Sequence, residues 1–128
     1  MKHVVALFGE AEKGPFLVPH VLREMPQLID SFGNPPPDSE GLFFAIQALL
    51  FQRELIFFRV EQEGFDFTHY SKGLQLLENR EQVRTLHALC LPGVGDERIL
   101  AASRKLCSIH NAIVITTQKD LYDYLTSS

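Results

Sequence analysis

Neither charge of one sign nor cysteine is abundant in this chain, and each shortage excludes a class of function. Twelve Lys and Arg stand against sixteen Asp and Glu, for a formal net charge of −4 and a pI near 5.7. That balance argues against a nucleic-acid surface, which needs a concentrated field of cations facing phosphate. There are two cysteines, Cys90 and Cys107. Each sits inside an apolar periodic segment, as a buried thiol in a reducing compartment would. No apolar run approaches the roughly 20 residues of a membrane span. The short run at residues 4–8 stops at Gly9-Glu10, too early for the core of a signal peptide followed by a cleavage site. A cytoplasmic protein without a membrane partner is expected. Internal repeats, low-complexity tails, a Gly-x-Ser-x-Gly elbow and His or Cys at zinc-ligand spacing are all missing. No catalytic residue, cofactor or metal is therefore expected.

What is present is an ordinary globular composition. With 128 residues, 45% hydrophobic and 22% charged, residues 1–128 have the length and apolar content of one domain with a real core. Short apolar runs at residues 4–8, 55–60, 86–91 and 112–116 read as strands buried on both faces. Gly14-Pro15 and Pro19 keep the chain extended or turned up to Met25. Pro26 then opens a short helix to Phe32, and Gly33 stops it. The connector Asn34-Pro35-Pro36-Pro37-Asp38 cannot be helical, and Asp38 or Ser39 is placed to cap the helix after it. That helix, residues 40–52, leaves almost no polar face. Helices are also expected over 70–79 and 97–110, the second capped by Asp96, with a closing helix or turn over 119–125. Strands alternating with helices predict an α/β fold: a single three-layer domain with a mainly parallel sheet of about four strands, flanked by helices and joined by right-handed crossovers.

Open α/β sheets bind ligands outside the carboxyl ends of their strands, so the loops after Phe8, Val60, Leu91 and Thr116 are where chemistry is to be sought. Pro92-Gly93-Val94-Gly95-Asp96 has the strand, Gly-x-Gly, helix order that lets backbone amides cradle a phosphate, which makes Gly93 and Gly95 the cofactor-loop candidates. Asp96 and Glu97 would stand where the phosphate sits and repel it. Glu10, Glu12 and Asp96 are candidates for an acid cluster at the sheet edge. Cys107 and His110, three apart on one helix, could meet His87 or Cys90 from the neighbouring strand; the expectation there is core and helix-end packing and not a metal. Arg59, near the end of its strand, is expected to be a structural residue that snorkels or pairs. The apolar helix at 40–52 offers Phe43, Phe44, Leu50 and Phe51 as interface candidates, because a bare stripe of Phe and Leu on water favours association.

The order of segments carries a resemblance. Val4-Val5-Ala6-Leu7-Phe8-Gly9-Glu10-Ala11-Glu12-Lys13-Gly14-Pro15, then Gln27-Leu28-Ile29-Asp30-Ser31-Phe32-Gly33, then Leu42-Phe43-Phe44-Ala45-Ile46-Gln47-Ala48-Leu49-Leu50, then Ile56-Phe57-Phe58-Arg59-Val60 resembles the core of contractile phage tail sheath proteins. His87-Ala88-Leu89-Cys90-Leu91-Pro92-Gly93 and Ala112-Ile113-Val114-Ile115-Thr116 continue the series. The match runs from about Val4 to Thr116, and the Gly-x-Ala-x-x-Gly-Pro and Phe-Gly pieces are its most specific parts. The resemblance implies a subtilisin-like core without protease residues. It also implies a structural, non-enzymatic role, with self-association or another protein of a tail or injection apparatus as partner. Three departures stand out: Gln52-Arg53-Glu54 replaces a glycine pair common in the family, the chain is much shorter, and it shows no obvious arm at either end. Packing through faces is expected, without support for contraction.

Overall fold

The computed structural model describes residues 3–127; Met1, Lys2 and Ser128, and with them any expectation about terminal arms, lie outside the described residues. The elements follow in the order β1 (Val4–Gly9), β2 (His20–Leu22), α1 (Met25–Phe32), α2 (Gly41–Leu50), β3 (Glu54–Arg59), α3 (Phe67–Glu78), β4 (Ala88–Cys90), α4 (Glu97–His110), β5 (Ile113–Ile115) and α5 (Gln118–Ser127). The sheet order is β2-β3-β1-β4-β5. β1 pairs in parallel with both β3 and β4, and β4 pairs in parallel with β5. The fold is the expected three-layer α/β domain. It has one strand more than expected: β2 adds antiparallel to the edge of β3, with Val21 opposite Ile56.

The two-faced burial of the strands is visible residue by residue, because side chains alternate across a sheet. Val5, Leu7, Leu55, Phe57, Ala88 and Cys90 face α1, α2 and α5 in one core. Ala6, Phe8, Ile56, Phe58 and Leu89 face α3 and α4 in the other. Stacked rings hold the second layer, with Phe8 on Phe58 at 4.5 Å and on Tyr70 at 5.3 Å. β1 lies at the centre, all six of its residues buried, which is why its sequence shows no polar alternation.

Local signals set most helix ends. Asp96 accepts from the Arg98 and Ile99 amides at the start of α4, as expected. The α3 helix begins earlier than its leucines suggest, since Asp66 caps it by accepting from the Thr68 amide. At α2 the expected cap is absent. Asp38 makes no cap, and Ser39 instead donates its hydroxyl to the Pro36 carbonyl at 2.7 Å, bracing the proline connector. The start of α2 is satisfied from elsewhere in the chain.

Candidate functional site

The carboxyl ends of β1, β3 and β4 meet where a ligand crevice is expected, and there the protein's own acids take the amides. Glu63, in the loop after β3, accepts the Glu10 and Gly41 N–H groups on Oε2 at 2.8 and 2.9 Å and the Glu40 N–H on Oε1 at 2.8 Å. Glu10 answers by accepting the Glu63 N–H at 2.9 Å. One carboxylate thus does for α2 what a capping residue or a bound anion would do at a helix N-terminus, while tying that helix to the end of β1. Burial, reinforced by the facing Glu10 carboxylate, pushes the Glu63 carboxyl above its ordinary range against the pull of the three amides.

The approach is close enough to require glycine. A side chain at Gly41 would bring its Cβ within 2.6 Å of the Gly9 Cα, so the first turn of α2 sits directly on the end of β1. Gly64, at φ 88°, packs so tightly on the Gly93 carbonyl that a Cβ there would overlap it. Its N–H donates to the Tyr70 hydroxyl at 2.8 Å, and burial pushes that phenol up to about 12. Loop 61–65 therefore closes over the point where the strand order reverses, and the crevice typical of such sheets is filled by backbone.

The glycine loop that ranks as a phosphate candidate is spent in the same way. Gly93 lies against Gly64, and Gly95 has open space around it. The Arg98 and Ile99 amides, which a phosphate would use, already bond to Asp96. The Arg98 guanidinium, held at 3.1 Å, and those amides keep the Asp96 carboxyl below the usual carboxylate range, so it stays an anion in the place of one. Glu12 turns away to accept the Asn34 N–H at 3.1 Å. The structure thus does not gather Glu10, Glu12 and Asp96; it pairs Glu10 with Glu63. Sequence reasoning missed Glu63. No local signal pointed to it, because Asp38 and Ser39 stand at the expected cap positions and only the structure shows that neither caps α2.

The remaining candidates make contacts within the fold. Arg59 donates to the Gly14 carbonyl at 2.5 Å and lies 4.1 Å over the Phe16 ring, pinning the segment after β1. Cys90 and Cys107 belong to opposite faces of the sheet. Burial raises both thiols, Cys107 to about 11 and Cys90 further. The His110 Nε2 bonds to the Leu77 carbonyl at 2.7 Å. Among the described residues no group of three or more His, Cys, Asp or Glu is placed to hold a metal. No helix there is long and apolar enough to cross a membrane.

A second feature lies on the outer surface. Helix α2 buries Leu42, Phe44, Ala45, Ala48 and Leu49 and turns Phe43, Gln47 and Leu50 outward, a stripe at i, i+4 and i+7. Phe43 is 52% exposed, Leu50 62% and Phe51 37%, whereas Phe44 is 1% exposed and belongs to the core, so it is removed from the interface set. Across a groove of about 290 Å³, α5 sets Tyr122 beside this stripe, with Gln118 and Leu125 on the same walls. Tyr122 is itself 64% exposed. Comparison of the chain with models of protein families, with curated proteins and with solved structures gives no match.

Proposed function

We propose that this chain is a non-enzymatic assembly subunit that works by packing against further copies of itself, in an apparatus of the contractile-tail kind that its segment order resembles. The observation that carries the reading is the outer stripe of α2: Phe43 and Leu50 are each more than half exposed, and Phe43 stands across a largely apolar groove from Tyr122 of α5. Apolar surface of this kind gains free energy when a second surface covers it, at about 25 cal/mol per Å² removed from water. The other support is the state of the strand ends. Ligands of such sheets sit outside the strand ends, and there Glu63 and Asp96 already take the amides at two helix starts while Gly64 packs on the Gly93 carbonyl. The placement in a tail or injection apparatus rests on the resemblance alone.

Sedimentation of the purified protein over a wide concentration range tests the reading. Association that grows with concentration, and that Phe43→Glu with Leu50→Glu abolishes without lowering the unfolding midpoint, is the expected result. A strictly monomeric wild type at high concentration overturns self-assembly.

A further inference from the structure

The amino-terminal end of the sheet, opposite the closed crevice, carries a cluster with a different chemistry. His87 immediately precedes β4. Its backbone N–H donates to the Val4 carbonyl at 2.9 Å, and its imidazole Nδ1 accepts the Val4 N–H, also at 2.9 Å. His87 and Val4 thus exchange two bonds just where the β1–β4 ladder starts, one step ahead of the Val5–Ala88 pair. One of the two bonds runs through a titratable ring.

Among the described residues, His3 and Arg53 are the titratable or charged groups that act on that ring. His3, leading into β1, stacks on it with centroids 4.5 Å apart and planes 17° apart. Arg53, leading into β3, acts on it as a nearby cation; its guanidinium donates to the Phe51 and Leu125 carbonyls and lies over the Tyr124 ring of α5. The nearest acid on β3, Glu54, is engaged by Arg23 at 2.6 Å. The imidazole is therefore flanked by a cation and by a second histidine.

A ring nitrogen that accepts an N–H must be unprotonated, so neutral His87 carries its proton on Nε2. Protonation places an N–H on Nδ1, pointing at the Val4 N–H. The acceptor is lost, two donors face each other, and a positive charge appears beside Arg53 and under His3. We propose that His87 is an acid-sensitive latch at the entry to the parallel sheet: neutral, it staples β4 to the start of β1; protonated, it releases Val4 and opens that end of the ladder. Burial first, then His3 and Arg53, hold the imidazole below its ordinary value of 6.5. With the folded value depressed, the latch's contribution is complete above the unfolded value. It is lost as pH falls below about 6.5 and levels off beneath the folded value.

The test compares wild type with His87→Asn, whose Oδ1 can accept the Val4 N–H but cannot take up a proton. Denaturant midpoints and amide exchange are read near pH 7.5 and near pH 5, with exchange corrected for its intrinsic pH dependence. In wild type the midpoint should fall on acidification. Protection of the Val4 amide should drop about tenfold, the scale of one partly buried hydrogen bond, while core amides of α4 hold. The Asn variant should lose most of both effects. An Asn variant with the full wild-type pH slope overturns the latch. Imidazole nitrogen shifts in the wild-type protein decide the matter even if the variant does not fold. A neutral His87 protonated on Nε2 and titrating below 6.5 supports the latch; a ring protonated on Nδ1, or titrating at or above 6.5, refutes it.

Discussion

Replacing Glu63 by Ala should expose how much of the fold hangs on one long-range carboxylate. The substitution strips three amides, those of Glu10, Glu40 and Gly41, of their acceptor in a single step. Losing a helix cap costs about 1 kcal/mol, and each further partly buried amide left without a partner about 1 kcal/mol more. Glu63 is only half-buried, so water recovers part of this, and relief of the Glu63–Glu10 repulsion returns a little. A net loss of about 2–3 kcal/mol is expected, a large share of the roughly 5–15 kcal/mol that holds a domain together. Glu63→Gln is the graded control. Its carbonyl can serve Glu10 and Gly41, but its NH2 meets the Glu40 N–H, so about 1 kcal/mol should go. Urea unfolding followed by circular dichroism reads both variants, with a midpoint shift of about 1–2 M for Ala. The pH dependence has a definite sign. Because the folded carboxyl is raised above its ordinary 4.5, its titration favours the fold at low pH, and that advantage fades as pH rises through the folded value. The gap between wild type and Gln should narrow from about pH 4 towards neutrality. An Ala variant within about 0.5 kcal/mol of wild type would show that the brace carries no load and that the crevice is closed by other means.

Two further changes probe the same end of the sheet. Gly64→Ala puts a Cβ into the Gly93 carbonyl at a backbone angle that L-residues avoid, and a loss of about 2 kcal/mol or more is expected; an unchanged thermal midpoint would mean the Gly64–Gly93 seam is looser than it looks. Asp96→Ala should lower the melting temperature at neutral pH, and the difference should vanish as pH falls below the unfolded value of 3.8 and through the depressed folded one; a difference that persists in strong acid would contradict the charge-based cap.

Legibility in the sequence tracks the range of the interaction responsible. The Asp96 cap is a two-to-three-residue event, so the turn at 92–96 and helix α4 stand where the pattern puts them. The central strands declare themselves through runs that are apolar on both faces. Strand β2 does not, because three residues after Pro19 become a strand only by hydrogen bonding to the edge of β3. Helix α2 was legible as a helix but not in its rotation. When nearly every position is apolar, periodicity has no phase, and only contact with β1 and β3 turns Phe44 inward and Phe43 out. Glu63 was illegible for another reason: its partners lie 22 to 53 residues away.

By itself, then, the sequence determined a parallel α/β layering, two core thiols and the lack of a nucleophile motif, since composition and short-range pattern decide these. The tertiary structure alone decided that the amides at the strand ends are taken by the chain's own carboxylates, that His87 reaches Val4 on the neighbouring strand, and that an apolar stripe remains on α2. Each of these depends on which distant residues the sheet brings within hydrogen-bonding or packing distance, and no local pattern carries that information.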